Sequence, residues 1–231
     1  MHNPIILALD FPDLKRSLAL ARSLKTRVSC FKVGLELLTA EGVPQVLKAF
    51  AEEGLPVFAD VKFSDIPNTI SGATAALVRH PIRFFDVHAS CGRESVQAAA
   101  QKKASAKLLV VTVLTSIDSA ECSSLFGGGS LEKVGQWARM AEEAGADGVV
   151  CSPQELDLLS REGLQLTKVT PGVRPQWASM EDQKRAMTPK EAIEHGADYL
   201  VIGRPITNPP FGMEPVEAAQ KILDEIGWRG K

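Results

Sequence analysis

Val57-Phe-Ala-Asp60-Val-Lys62-Phe-Ser-Asp65-Ile-Pro-Asn-Thr-Ile70 begins as an apolar strand and ends as the first turn of a helix. Side chains alternate along a strand, so Asp60 and Lys62 share one face while Val57, Ala59 and Val61 share the other. Two opposite charges on the inner face of so apolar a strand are costly unless they are paired or used. Taken alone, the stretch supports two readings. Either Asp60 and Lys62 form a structural ion pair with Asp65 as N-cap ahead of Ile66-Pro67, or the three charges belong to a site.

Outward from this stretch, short apolar runs alternate with longer helical patterns over the whole chain. Strands are expected at residues 5–9, 29–33, 57–62, 84–88, 107–114, 148–151, 166–170 and 199–202. Between and after them, amphipathic periodicity and Gly or Pro punctuation place helices at 14–24, 43–53, 66–78, 94–104, 131–144, 153–160, 189–195 and 215–226. Strict β/α alternation implies a parallel sheet, and eight such units close as a (β/α)8 TIM barrel, expected here as a single α/β domain over residues 1–231. An open doubly wound sheet is the competitor. No GxGxxG follows the first strand and no shift of composition marks a second domain, which disfavours it.

Composition narrows the partners. The chain has 231 residues, 45% of them hydrophobic and 23% charged, which is enough for a sizeable core. A net charge of −2 gives no basic surface for nucleic acid or acidic membrane. The N-terminal Met1-His-Asn-Pro-Ile-Ile-Leu-Ala-Leu-Asp10 lacks a basic leader, and its apolar run is too short for a membrane span. Cys30, Cys91, Cys122 and Cys151 are scattered without metal-binding spacing, so free thiols in a reducing, cytoplasmic setting are expected.

The polar residues at the strand ends carry the functional signal. The first strand ends in Asp10, the second carries Lys32, the third Asp60 and Lys62, and the fourth Asp86 and His88. The fifth runs into Thr115-Ser116, the seventh opens into Arg174, and the eighth into Gly203-Arg204. In a barrel these ends share the rim where active sites sit, and the last two loops commonly bind phosphate. Glycine admits close backbone approach and arginine matches phosphate oxygens in a fork, so Gly203, Arg204, Arg174 and Gln183 form a candidate anion site. Gln183 lies in a long irregular segment, residues 171–188, whose length suggests a lid. His88 and Cys151 are expected to be packing residues, and Trp177 either covers the lid or anchors the loop.

Asp60-Val-Lys62-Phe-Ser-Asp65-Ile-Pro-Asn-Thr69 resembles the signature of the orotidine 5′-monophosphate decarboxylase family, in its bacterial branch. Leu7-Ala-Leu-Asp10, Phe31-Lys32-Val-Gly34, Val111-Thr-Val-Leu-Thr-Ser116, Thr170-Pro-Gly-Val-Arg-Pro175, Asp182-Gln-Lys-Arg185 and Val201-Ile-Gly-Arg-Pro-Ile-Thr207 agree with it in order and spacing. The His88-Ala-Ser-Cys-Gly92 turn departs from it in being less glycine-rich. The resemblance implies a homodimer with shared active sites, a nucleotide substrate, and no metal or organic cofactor. It implies a network of Lys32, Asp60, Lys62 and the partner subunit's Asp65, with Lys62 protonating C6 of the pyrimidine. Asp10, Lys32 and the partner subunit's Thr69 would hold the ribose, and Thr115 or Ser116 would read the base. Arg174, Gln183 and Arg204, with the Gly203 backbone, would hold the phosphate. Competing readings are a metal-dependent phosphosugar decarboxylase using Glu36, a Schiff-base aldolase using Lys62, and a phosphosugar-binding regulatory barrel.

Overall fold

The computed structural model describes residues 2–178 and 187–230. Within them, eight parallel strands close into a barrel in sequence order, β1 pairing with β8. The strands are β1 (Ile5–Ala8), β2 (Cys30–Val33), β3 (Val57–Phe63), β4 (Phe84–His88), β5 (Lys107–Val111), β6 (Gly148–Val150), β7 (Thr167–Thr170) and β8 (Tyr199–Ile202). Helices follow on the outside, so the expected TIM barrel is the fold.

Alternation along each strand divides the core in two. Ile6, Cys30, Phe58, Phe84, Leu109, Val169 and Tyr199 point inward and fill the lower half of the barrel. Leu7, Phe31, Val57, Phe85, Val110 and Ile202 point outward into the layer beneath the helices. Phe84 packs edge-to-face against both Phe58 and Tyr199, at 6.1 and 5.4 Å between ring centres. Arg83 seals the floor by donating to the Tyr199 hydroxyl at 2.7 Å and to the Ser29 carbonyl at 3.1 Å. With the lower half packed, the open space of the barrel lies above these rings, toward the C-terminal ends of the strands.

Several boundaries differ from expectation. The fifth strand stops at Val111: Thr112 still donates to the Val150 carbonyl, at 3.3 Å from its N–H, but Val113 and Leu114 continue the apolar run without pairing with β6. Among the described residues, three α-helices were not read from the sequence: Leu35–Glu41, Ser119–Phe126 and Arg204–Thr207. Ser119–Phe126 is polar and weakly periodic, and its ends define it. Asp118 accepts from the Ala120 and Glu121 N–H groups at 2.9 Å, and Gly127 in the left-handed region stops the helix. The N-cap of Pro67–Leu77 is Ile66 rather than Asp65; Asp65 Oδ1 accepts from the Ile66 N–H at 2.7 Å. All four cysteines are free, with Cys30, Cys122 and Cys151 buried. Among the described residues, no helix is long and apolar enough to cross a membrane.

Candidate active site

The open space above the barrel floor is a cavity of about 420 Å3. Asp10, Lys32, Asp60 and Lys62 line one part of it, Thr115 and Val113 a wall, and Arg174, Gly203 and Arg204 another part. Residues from separate loops and strands thus meet because parallel strands deliver all their C-terminal ends to one rim.

The charged part depends on an irregularity in β3. Ala59 stands opposite Phe85 and Phe63 opposite Val87, so four steps along β3 match two along β4. The bulge includes Lys62, whose φ of 52° lies in the left-handed region. For a residue with a long side chain this costs on the order of 1 kcal/mol, so something must hold it. Asp86 on β4 does so: its Oδ1 accepts from the Lys62 backbone N–H at 2.8 Å.

A continuous chain of polar contacts results. Lys32 Nζ donates to Asp10 Oδ1 at 2.8 Å and to Asp60 Oδ2 at 2.9 Å. Lys62 Nζ donates to Asp60 Oδ1 in a close contact and lies 3.3 Å from Asp86 Oδ2. Burial alone would raise the Asp60 carboxyl, but a hydrogen bond from Asp86 and the ammoniums of Lys32 and Lys62 outweigh it and hold Asp60 below the usual carboxylate range. Asp86 is completely buried, and burial together with the negative charge of Asp60 pushes its carboxyl well above that range. Burial would lower Lys32, yet Asp60 and Asp10 reverse the balance and raise it. Half-buried His88 is lowered by burial and by the Lys62 ammonium, against the pull of Asp60.

Gly34 closes this part from below. A Cβ at Gly34 would come within 3.0 Å of Lys32 Nζ and 3.3 Å of Asp10 Oδ1. At the other part, Arg174 is held by its N–H to the Met187 carbonyl at 2.9 Å, behind buried Val173. The Gly203 carbonyl accepts from Ile206 and Thr207, turning the chain into Arg204–Thr207 so that Arg204 faces the cavity mouth. Trp177 packs on the core with the Lys221 ammonium 5.3 Å above its ring, and so anchors its loop. Cys151 lines the wall, and burial pushes its thiol up to about 12, as befits a packing residue.

Not every candidate reaches this cavity. Ser116 and Thr69 are exposed and do not line it, and Gln183 lies outside the described residues. Asp65 is exposed beside a shallow depression with Ile66, Pro67, Cys91 and Ser95, and does not line the cavity that holds Lys62. Glu36 is exposed, and among the described residues no three His, Cys, Asp or Glu side chains converge as a metal site. Sequence reasoning placed Asp86 on the rim without a role and passed over Gly34. For Asp86 the available signal was an acid between two inward aromatic or imidazole positions, Phe84 and His88.

A closed parallel barrel with ionised side chains gathered at the C-terminal rim defines a (β/α)8-barrel enzyme. The sequence profile of the orotidine 5′-phosphate decarboxylase / HUMPS family matches residues 3–222. Orotidine 5′-phosphate decarboxylase of Moorella thermoacetica is 46% identical over 240 residues, covering 98% of this chain and 94% of that protein. The Dichelobacter nodosus enzyme of the same name is 42% identical, covering 96% and 98%. The crystal structure of orotidine 5′-phosphate decarboxylase from Lactobacillus acidophilus superposes with a TM-score of 0.84 at 33% identity, covering 98% of this chain and all of that one. The chain belongs to the orotidine 5′-phosphate decarboxylase / HUMPS family.

Proposed function

We propose that the protein decarboxylates orotidine 5′-monophosphate to uridine 5′-monophosphate and CO2, the step that yields UMP in pyrimidine biosynthesis. Within the family, support for this reaction comes from relatives of that name along nearly the full chain. The observation that carries the reading is the position of Lys62. Its ammonium sits over the Asp60 carboxylate in a cavity that also holds Arg174 and Arg204.

The two arginines take the 5′-phosphate, with Gln183 from the loop between them and the Gly203 backbone assisting. Asp10 and Lys32 hold the ribose hydroxyls, together with the partner subunit's Thr69. Thr115 or Ser116 reads the base edge. The C6 carboxylate then lies against Asp60. As the C6–CO2 bond breaks, its electron pair stays on C6, where no adjacent carbonyl accepts it as an enolate. The Lys62 ammonium stabilises that charge and transfers a proton to C6, and a proton taken up from solution, the one proton the reaction consumes, restores the ammonium. Fixed charges already in place do this work without a cofactor as electron sink. Binding energy from the remote phosphate offsets the crowding of substrate carboxylate against Asp60.

The site is completed across a homodimer, the partner subunit's Asp65 joining Lys62. Support for sharing is that Asp65 and Ile66 are exposed and outside their own cavity, Ile66 being 65% exposed. The expected setting is the cytoplasm.

The test is the ultraviolet change on conversion of orotidine 5′-monophosphate to UMP, before and after exhaustive chelation. Turnover should be equal in both, and Lys62→Ala should abolish it while UMP still binds. A chelated enzyme that is dead and revived by Mg2+, or a Lys62→Ala variant that still turns over, rejects the mechanism.

A further inference from the structure

We propose that Asp86 is a positioning residue for Lys62, gripping its backbone and its ammonium as a neutral, hydrogen-bonded acid rather than as one more charge. The proposal rests on the reading of Lys62 as the proton donor.

Geometry carries it first. The bulge in β3 brings Lys62 back over Asp60 by placing it at φ 52°. Regular strand geometry would instead send the next inward side chain about 6.6 Å further up the barrel. The backbone N–H of that strained residue donates to Asp86 Oδ1 at 2.8 Å, and Lys62 Nζ lies 3.3 Å from Asp86 Oδ2. One side chain therefore fixes both ends of the lysine. Asp86 lies behind the cavity wall and is the most enclosed of the three carboxyls, 0% exposed against 7% for Asp60, while Asp10 is mostly open.

Charge balance supplies the protonation state. The groups facing Asp86 are Asp60 and Lys62 from β3, with Lys32 beyond them on β2 and His88 two residues on along β4. Lys32 and Lys62 already balance Asp60 and Asp10, and in the proposed dimer the partner subunit's Asp65 adds one more negative charge beside Lys62. A second buried carboxylate beside Asp60 would stand unbalanced, and two adjacent carboxyls out of water cannot both ionise cheaply. The proton sits on Asp86 and is donated to Asp60, consistent with the opposite shifts of the two carboxyls.

Two variants separate anchor from charge. Asp86→Leu removes both acceptors at similar size. It should lower kcat on the order of 100-fold, the usual cost of a reacting group displaced by about 1 Å. Affinity for UMP, measured by calorimetry, should stay within about threefold because the arginines are untouched. Asp86→Asn keeps the carbonyl acceptor for the Lys62 N–H and offers an N–H toward Asp60 in place of the O–H, giving up only the longer 3.3 Å contact to Lys62 Nζ. It should restore most of the lost kcat and leave the pH–rate profile in place. If Asp86→Leu does not fold, Asp86→Ala carries the same test.

Hydrogen exchange of the Lys62 amide reads the anchor without turnover: slow in the parent and in Asp86→Asn, fast in Asp86→Leu. A parent protein that decarboxylates nothing would refute the proposed reaction and leave this exchange pattern to decide the anchor. Parental kcat or slow exchange in Asp86→Leu overturns the proposal. So does an Asp86→Asn variant that is as impaired as Asp86→Leu, or whose alkaline limb moves by about one unit or more, since either requires a charged Asp86.

Discussion

Lys32→Met tests whether the charges at the rim are held by one another. The Lys32 ammonium donates at 2.8 Å to Asp10 and at 2.9 Å to Asp60, with side-chain exposures of only 12% for Lys32 and 10% for Asp60. Screening at such a buried pair is weak. Removing one partner of a buried pair costs about 3–5 kcal/mol when the other charge is left alone. Here Asp60 keeps Lys62 and the hydrogen bond from Asp86, so the cost falls to about 2–3 kcal/mol at neutral pH. For a chain of this size, that shifts the urea midpoint down by roughly 1 M. Unfolding should be followed by tryptophan fluorescence at one fixed protein concentration. The pH dependence has a definite sign. The Asp60 carboxyl is depressed in the fold, so its contribution is present above the ordinary carboxyl value and lost as pH falls through the depressed one. Without Lys32 the depression is smaller. The gap between parent and variant should be full above the ordinary carboxyl value and narrow only as pH falls well below it, toward the depressed value of the parent. Equal midpoints near neutral pH, or a gap that widens on acidification, would refute the network.

Gly34→Ala should fold normally, because φ −104° and ψ −174° suit alanine, but its methyl within 3.0 Å of Lys32 Nζ should displace the ammonium. A drop in kcat of about tenfold with an unchanged melting temperature is expected, and a parental kcat rejects the crowding. Arg204→Ala should weaken UMP about 10–100-fold while scarcely changing uridine, the cost of losing charge-assisted hydrogen bonds to phosphate. Titration of both ligands checks this, and equal losses reject the phosphate assignment. Mixing Asp65→Ala with Lys62→Ala chains should recover activity, because one of the two sites in each mixed dimer regains both groups. A proven heterodimer with no activity counts against a shared site.

The barrel was legible because eight apolar runs alternate with helical patterns, and each run is short enough to be a strand and nothing else. The rim residues Asp10, Lys32, Asp60 and Lys62 were legible too, since a charge on the inward face of an apolar strand is too costly to keep unless it is paired or used. What escaped was local. Nothing in Val-Lys-Phe marks a bulge: there is no glycine or proline at Lys62, and its positive φ is imposed by contacts with a neighbouring strand. Asp86 was visible as a rim acid, but depth is not a property of alternation, and only the packed barrel shows it wholly enclosed. Helix Ser119–Phe126 was hidden because capping at Asp118 and Gly127, rather than an apolar stripe, defines it. Asp65 was ambiguous for a different reason. A helix cap and a residue aimed at another subunit look alike in a sequence; the cap falls to Ile66, and the proposed role across the dimer is tested by the mixed-chain experiment.

The bulge also decides what kind of catalyst this rim can be. Asp60 accepts Lys32 on Oδ2 and Lys62 on Oδ1, so each oxygen is already committed to an ammonium before substrate arrives. On the proposed reaction, a substrate carboxylate pressed toward Asp60 meets a carboxylate whose charge two lysines share. The crowding this produces is smaller than a bare pair of anions would create. On the same proposal the larger effect comes from Lys62, whose attraction to C6 grows as charge moves from the departing carboxylate to the ring. That effect depends on the ammonium not moving, because a dipole or charge that must reorganise during the step gives back much of its benefit. A lysine on a regular strand would be free to sweep the cavity mouth. One folded back at φ 52° and bonded through its own N–H is not. Strain at Lys62 and the buried acid beside it are thus two parts of one device, and on the proposed mechanism the rigidity they give is what lets Lys62 act without reorganising.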